Sequence, residues 1–177
     1  MTDPRDDLAR LAPWVPAICD AADEFGVRRS VLAAMCLRES LAGWAPGYTR
    51  KGTHLGWGDA GHAFGLWQCD RRFWEQVLRG MWPGHQLLTP LGQARAAAAT
   101  VAGARRFLEA RHPGVAFLHE RAALSAYNAA LHRVDAQLEA GMDPDAVTTG
   151  SDYGKDVLAR AAVLERRDPI AFPPAAG

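Results

Sequence analysis

The chain has 177 residues, 49% hydrophobic and 23% charged, which is enough for one domain with its own core. Its 20 basic and 20 acidic side chains cancel, so no long-range field draws it to nucleic acid or to an anionic membrane. No apolar run has the length of a membrane span, and the polar stretch Met1 to Arg10 lacks a signal-peptide pattern, which leaves any export route open. Cys19, Cys36 and Cys69 are too few and too odd in number for a disulfide framework. Reduced thiols are the simpler expectation, and one disulfide with a spare thiol is the alternative.

In chain order, Asp3 and Pro4 have the form of a cap and first helical turn, and Pro13 and Pro16 separate that short helix from a second. The second runs from about Pro16 to Phe25, with Ile18, Ala21, Ala22 and Phe25 at helical spacing and Gly26 at its end. Ser30 is placed to cap a third helix through Val31, Ala34, Met35 and Arg38, which puts Glu39 in its last turn. Cys36, in the same apolar run, reads as buried filler. From Ser40 to Asp59 glycines, Pro46 and aromatics follow neither period, so a long loop is expected.

Residues 62–69 suit a short extended segment or hairpin, and a helix is expected from about Arg71 to Arg79. Thr89 and Pro90 open a long alanine-rich helix to about Ala110, with a narrow apolar stripe of Leu91, Ala94, Ala98, Val101, Ala102, Arg105 and Leu108. Its small side chains let neighbours pack closely, which makes it the expected centre of the fold. His112, Pro113 and Gly114 end it. Two shorter helices, Phe117 to Tyr127 and Leu131 to Ala140, flank a break at Tyr127 and Asn128. A last helix runs from Asp152 to about Arg166, and the PIAFPPAAG tail is expected to be loose. The fold class is therefore mainly α, with at most a small β element.

The stretch from Glu39 to Asp70 holds the chemistry. Asp59 and Asp70 lie 11 residues apart across the glycine-dense run GWGDAGHAFGLWQCD, which can fold back and bring both carboxylates toward Glu39. Its aromatics offer flat apolar faces to sugar rings, while Asp, Gln and His can bond hydroxyls. A carboxyl at a helix C-terminus meets the negative end of the dipole, and Trp44 and Trp57 are candidates to desolvate it. Both effects favour the protonated form that a glycosidic oxygen requires.

Plainer readings stand beside these. Glu39 can be a solvated surface glutamate, Asp59 can serve its own turn, and Asp70 can cap the helix after it. Tyr127 and Tyr153 can be core residues with a wet hydroxyl, and Asn128 a helix stop. A metal held by His54, Asp59 and His62, or a Cys69 thiol paired with His62, matches no established spacing.

Four motifs in order, RES at Arg38 to Ser40, GWGDAGHAFGLWQCD at Gly56 to Asp70, SAYNAA at Ser125 to Ala130 and TTGSDYGKDVLARA at Thr148 to Ala161, resemble the goose-type lysozymes and the related soluble lytic transglycosylase domains. The resemblance covers residues 27–166 as a catalytic domain, with 1–26 as a helical segment packed on it and 167–177 as a loose tail. It implies the α-rich lysozyme-like fold, a helical lobe with a small β hairpin beside the cleft. Glu39 resembles the family's general acid, and Asp59 and Asp70 resemble its water-positioning aspartates. Gln68, Tyr127, Asn128 and Tyr153 match cleft positions, and Trp57, His62 and Phe64 are candidate substrate contacts from the same motif. His62 with Ala63 replaces the commoner Asn-Gly, Trp67 a Met, and Ala130 a Gly. The loop after Glu39 is longer than in the bird enzymes.

The implied activity is an inverting muramidase acting on peptidoglycan without cofactor or metal, at the cell wall, in the periplasm or outside the cell. A lytic transglycosylase, a chitinase of the same family and a degenerate glycan-binding module are the alternatives. Glycan strands are the expected partner, with an inhibitor or immunity protein as a further candidate, and the chain is expected to be a monomer.

Overall fold

The computed structural model describes residues 4–58, 61–70 and 87–174. The helix expected from Arg71 to Arg79, and Asp59 itself, lie outside these residues.

Helices α1 (Pro4–Leu11), α2 (Val15–Phe25) and α3 (Arg29–Ser40) follow in quick succession. Gly26 ends α2 as the spacing predicted, in the left-handed conformation (φ 64°) that glycine adopts without penalty, and its N–H bonds the Ala22 carbonyl. Ser30 is a different case. It is not the cap of α3, because the helix begins a residue earlier and Arg28 holds the extended cap position with no side-chain cap bond. The Ser30 hydroxyl instead donates to Glu165 at 2.6 Å, and Arg28 reaches Glu120 and Glu165. A local capping rule loses here to a contact 135 residues away in sequence.

Three two-residue strands, β1 (Trp57–Gly58), β2 (Ala63–Phe64) and β3 (Cys69–Asp70), form an antiparallel sheet in the order β1-β2-β3. Trp57 pairs with Phe64, and Phe64 with Cys69. The small β element is thus a three-stranded sheet built on the expected hairpin.

The alanine-rich helix α4 (Pro90–Arg111) starts where Thr89 accepts the Gly92 N–H at 3.0 Å and Pro90 fills the first turn. It packs on α2, α3 and α5 (His119–Ala129). Its buried face is wider than the narrow stripe expected, since Gly92, Gln93, Ala96, Ala97 and Ala104 join Ala94, Ala98, Val101, Ala102 and Leu108. Small side chains let several neighbours approach one helix at once. Helix α5 begins at His119 rather than Phe117, which is 83% exposed in a 3-10 turn, and it runs through Asn128 to Ala129. Helices α6 (Leu131–Glu139) and α7 (Tyr153–Arg167) complete the lobe, with α7 packed on α3 and α5. Among the described residues no helix is long and apolar enough to cross a membrane. The fold is mainly α and lysozyme-like, with a helical lobe beside a small sheet.

The tail corrects an expectation. Phe172 is 1% exposed in the core, and its N–H bonds the Asp168 carbonyl, so this aromatic holds the segment after α7 against the domain.

One polar side chain joins the sheet to the helical lobe. Gln93 is fully buried on α4; its oxygen accepts the Leu66 N–H at 2.9 Å, and its amide donates to the His54 and Leu87 carbonyls. Gly65 makes room for it, as a Cβ there would stand 2.3 Å from the Gln93 side chain. Gln93→Leu, of similar volume, strands one buried N–H and two carbonyls, and is expected to lower unfolding free energy by about 2–4 kcal/mol in urea titrations.

Between α5 and α6, Ala130 sits at φ 74° and ψ 140°, a conformation that costs a residue with a Cβ about 1–3 kcal/mol. Glycine is the residue of the resembling motif at this position. Ala130→Gly is accordingly expected to raise the melting temperature by a few degrees, despite the greater freedom it gives the unfolded chain.

Candidate active site

Three consecutive residues at the end of α3 each take a separate task. Arg38 donates to Asp152 and Asp156, both at 2.9 Å, and its guanidinium lies 5.7 Å from the centre of the Tyr153 ring. Glu39 accepts a short hydrogen bond from the Tyr153 hydroxyl. Ser40 is buried; its hydroxyl donates to the Leu66 carbonyl at 2.7 Å and accepts the Gly43 N–H, tying the helix end to the sheet. The helix then stops sharply. Leu41 and Ala42 both adopt left-handed conformations (φ 51° and 53°), Ala42 donates back to the Cys36 carbonyl, and Trp14 bonds the Ala42 carbonyl.

Glu39 keeps some exposure to solvent, but its carboxyl is enclosed by protein. Desolvation lifts its pKa from 4.5 to about 7, against the pull of the Tyr153 hydrogen bond and the Arg38 charge. The Trp44 ring covers Gly52, where a Cβ would meet it at 2.7 Å, and it remains 50% exposed. Tyr153 itself is 2% exposed, with its hydroxyl engaged by Glu39 rather than wet.

Behind this pair, the Tyr127 hydroxyl donates to the Trp67 carbonyl at 2.7 Å and lies 3.7 Å from Cys69 Sγ. Tyr127 and Cys69 are both close enough to Glu39 for its charge to act on them. Trp67, the residue in place of the commoner Met, is fully buried, with its indole N–H on the Leu32 carbonyl of α3. It thereby fastens the third strand's approach to the helix that carries Glu39.

The remaining predicted residues divide. Trp57 is half-buried, and its ring packs against Phe64 with centroids 4.7 Å apart. Phe64 is a core residue at 6% exposure, so it backs Trp57 and offers no face of its own to a sugar. His62, in the turn before β2, and Asp70, on β3, are exposed. Gln68 adopts a left-handed conformation (φ 48°) and donates to the Gly65 carbonyl. Asn128 is exposed and accepts the Thr149 N–H, so it joins α5 to the segment before α7 instead of stopping a helix.

One rival chemistry loses its footing. Cys69 is buried, and burial pushes its thiol up to about 12, so it is no nucleophile for an exposed His62. His54 turns its Nε2 to the Leu88 carbonyl, and its ring meets Trp14 edge-on. Among the described residues no three His, Cys, Asp or Glu side chains gather as a metal site.

A residue that sequence reading did not single out organises the far side of the site. Asp145 is fully buried and accepts from Ser125, Arg121 and the N–H groups of Gly154 and Lys155. Burial opposes its charge, but these bonds together hold its carboxyl below the usual range. The signal in the sequence is faint: an Asp-Pro-Asp turn and an SAYN helix, whose meeting is purely tertiary.

A desolvated carboxyl of raised pKa at a helix end, beside a small sheet in a mainly α lysozyme-like fold, is an arrangement suited to glycoside hydrolysis. The family model described as Lysozyme g matches residues 4–168. The chain is 31% identical over 158 residues to lysozyme g of Cyprinus carpio, covering 88% of this chain and 74% of that protein. It is 30% identical over 156 residues to lysozyme G of Dromaius novaehollandiae, covering 88% and 67%. A glycine, glutamate and proline-rich protein of Lottia gigantea is 29% identical over 163 residues, 90% of this chain but 36% of that one. The chain belongs to the lysozyme g family, and its activity is a lysozyme-type hydrolysis of glycan.

The raised pKa of Glu39 has a consequence for stability. A carboxyl whose pKa rises on folding favours the fold below its unfolded value, near 4.5, and that contribution is lost as pH climbs through about 7. Glu39→Gln, which stays neutral, is expected to be about 2–3 kcal/mol more stable than the parent at pH 8 and indistinguishable from it at pH 4. Denaturant titrations at the two pH values measure this.

Proposed function

We propose that the chain is a muramidase that cleaves the β-1,4 bond between N-acetylmuramic acid and N-acetylglucosamine in peptidoglycan, with Glu39 as general acid. The observation that supports this most is the Glu39 carboxyl, whose pKa of about 7 leaves a large protonated fraction at neutral pH while Tyr153 stands ready to hydrogen-bond the anion it becomes. As the C–O bond to the leaving sugar breaks, Glu39 gives its proton to the departing oxygen and the anomeric carbon gains oxocarbenium character. A water attacks from the opposite face, losing its proton to Asp59 or Asp70, and the configuration inverts. Solvent then returns the proton to Glu39. The Trp57 ring, backed by Phe64, supplies an apolar face for a sugar, and Asn128 keeps its amide NH2 for a hydroxyl.

This reading makes the three carboxylates unequal. Glu39→Gln is expected to lose about 10²- to 10⁴-fold in turnover while still co-sedimenting with purified cell walls, since the amide cannot deliver a proton but can still bond sugar oxygens. Asp59→Asn and Asp70→Asn are each expected to cost less, because either can activate water, and the double variant to cost more than both. Mass spectrometry of the products separates the alternatives. Reducing muramic ends support hydrolysis, anhydro ends point to a transglycosylase, and cleavage of chitin alone shifts the substrate. Unimpaired wall lysis by a folded Glu39→Gln protein overturns the assignment.

Activity is further expected to survive both a chelator and a thiol-blocking reagent in the same turbidity assay.

A further inference from the structure

Glu39 and its hydroxyl partner sit on different helices, so what fixes the second helix also fixes the acid. Helix α7 begins at Tyr153, and Asp152 holds its cap position. A capping aspartate ordinarily accepts N–H groups of the first turn, but Asp152 makes no such bond, and its carboxylate is turned to Arg38. The first-turn N–H groups go elsewhere. Gly154 donates to Asp145 Oδ1 at 2.6 Å, and Lys155 donates to Asp145 Oδ2 at 3.1 Å. A buried carboxylate from the 3-10 turn Pro144–Val147 thus takes over the cap that α7's own residue has given up.

The grip is tight on every side. Ser125 on α5 donates to Asp145 Oδ1, and Arg121 on the same helix donates to Oδ2, both at 2.8 Å. Arg121 and Lys155 also bind Asp143, so charge around the turn is matched. Gly154 allows the approach, because a Cβ there would lie 2.7 Å from the Arg121 carbonyl. One residue before Gly154, the Tyr153 hydroxyl reaches Glu39. We propose that Asp145 is a positioning residue for the proton donor: by capping the first turn of α7 from outside, it holds the Tyr153 hydroxyl on Glu39 and so sets how readily Glu39 gives up its proton. This rests on Glu39 being the general acid.

Other groups around Glu39 also act on it. Arg38 from its own helix contributes positive charge, itself matched by Asp152 and Asp156 of α7. Tyr127 from α5 and the Cys36 and Cys69 thiols stay protonated, as burial raises all three. The hydrogen bond from Tyr153 is the contribution that Asp145 controls, and it lowers the proton affinity of Glu39. Loosening it must therefore raise that affinity and carry the alkaline limb of activity upward.

The test compares pH profiles of kcat/KM on purified peptidoglycan for the parent, Tyr153→Phe, Asp145→Asn and their double variant, with folding checked by circular dichroism. An asparagine has a single acceptor oxygen and sets an NH2 against the remaining donors, so at least one first-turn N–H loses its partner. Asp145→Asn is expected to move the alkaline limb upward by about half to one pH unit, as Tyr153→Phe does, and the double variant to move it no further than Tyr153→Phe alone. Ser125→Ala, which removes one donor to Asp145 and leaves the backbone in place, is expected to move it in the same direction by less, and it carries the test should Asp145→Asn not fold. A limb that stays with the parent in the folded variants, whatever their melting temperature, overturns the inference and leaves a structural cap. An active Glu39→Gln protein overturns the general-acid reading instead.

Discussion

Keeping one carboxyl out of water at the end of a helix is the constraint that the rest of this structure serves. An anion there faces the negative pole of its own helix and lacks solvent, so the neutral form gains on both counts. The Tyr153 hydrogen bond and the Arg38 charge moderate the effect, and the balance falls near neutral pH. A more exposed Glu39 would be an ordinary surface glutamate, and one without Tyr153 would hold its proton more firmly. The balance at Glu39 lies between those limits.

Polar side chains buried in the interior hold that balance in place. Ser40 ties the end of α3 to the Leu66 carbonyl, Gln93 ties Leu66 and the segment around His54 to α4, and Asp145 ties α5 to the first turn of α7. Each joins segments far apart in sequence with its hydrogen-bonding capacity largely used, which is the condition under which a buried polar group gives specificity instead of cost. The apolar core, rich in alanine along α4, brings the helices close enough for these short side chains to reach.

Much of the helical framework was legible from local chemistry. Gly26 closes α2 and Thr89 with Pro90 opens α4 because those signals depend on residues within one turn. The RES stretch likewise put Glu39 on a rigid helix end. Reading failed where a side chain was claimed by a distant partner. The Ser30 hydroxyl goes to Glu165, and Phe172 leaves its tail for the core. Phe64 lies opposite Trp57 on the same face of the sheet, yet it is buried where Trp57 is only half-buried. Asp145 and Gln93 escaped notice for the same reason: an isolated Asp or Gln carries no local mark of the partners it will meet.

The Glu39–Tyr153 contact spans 114 residues, and the Ser30–Glu165 contact at the other end of the same helix pair spans 135. During synthesis, α3 emerges long before α7 exists to meet it, and a chain stalled in between has Glu39 and Arg38 but neither the Tyr153 hydroxyl nor the Asp152 and Asp156 carboxylates that they meet. Domains assemble such long-range contacts late. The nascent polypeptide therefore carries Glu39 without its Tyr153 partner until α7 has emerged and docked on α3.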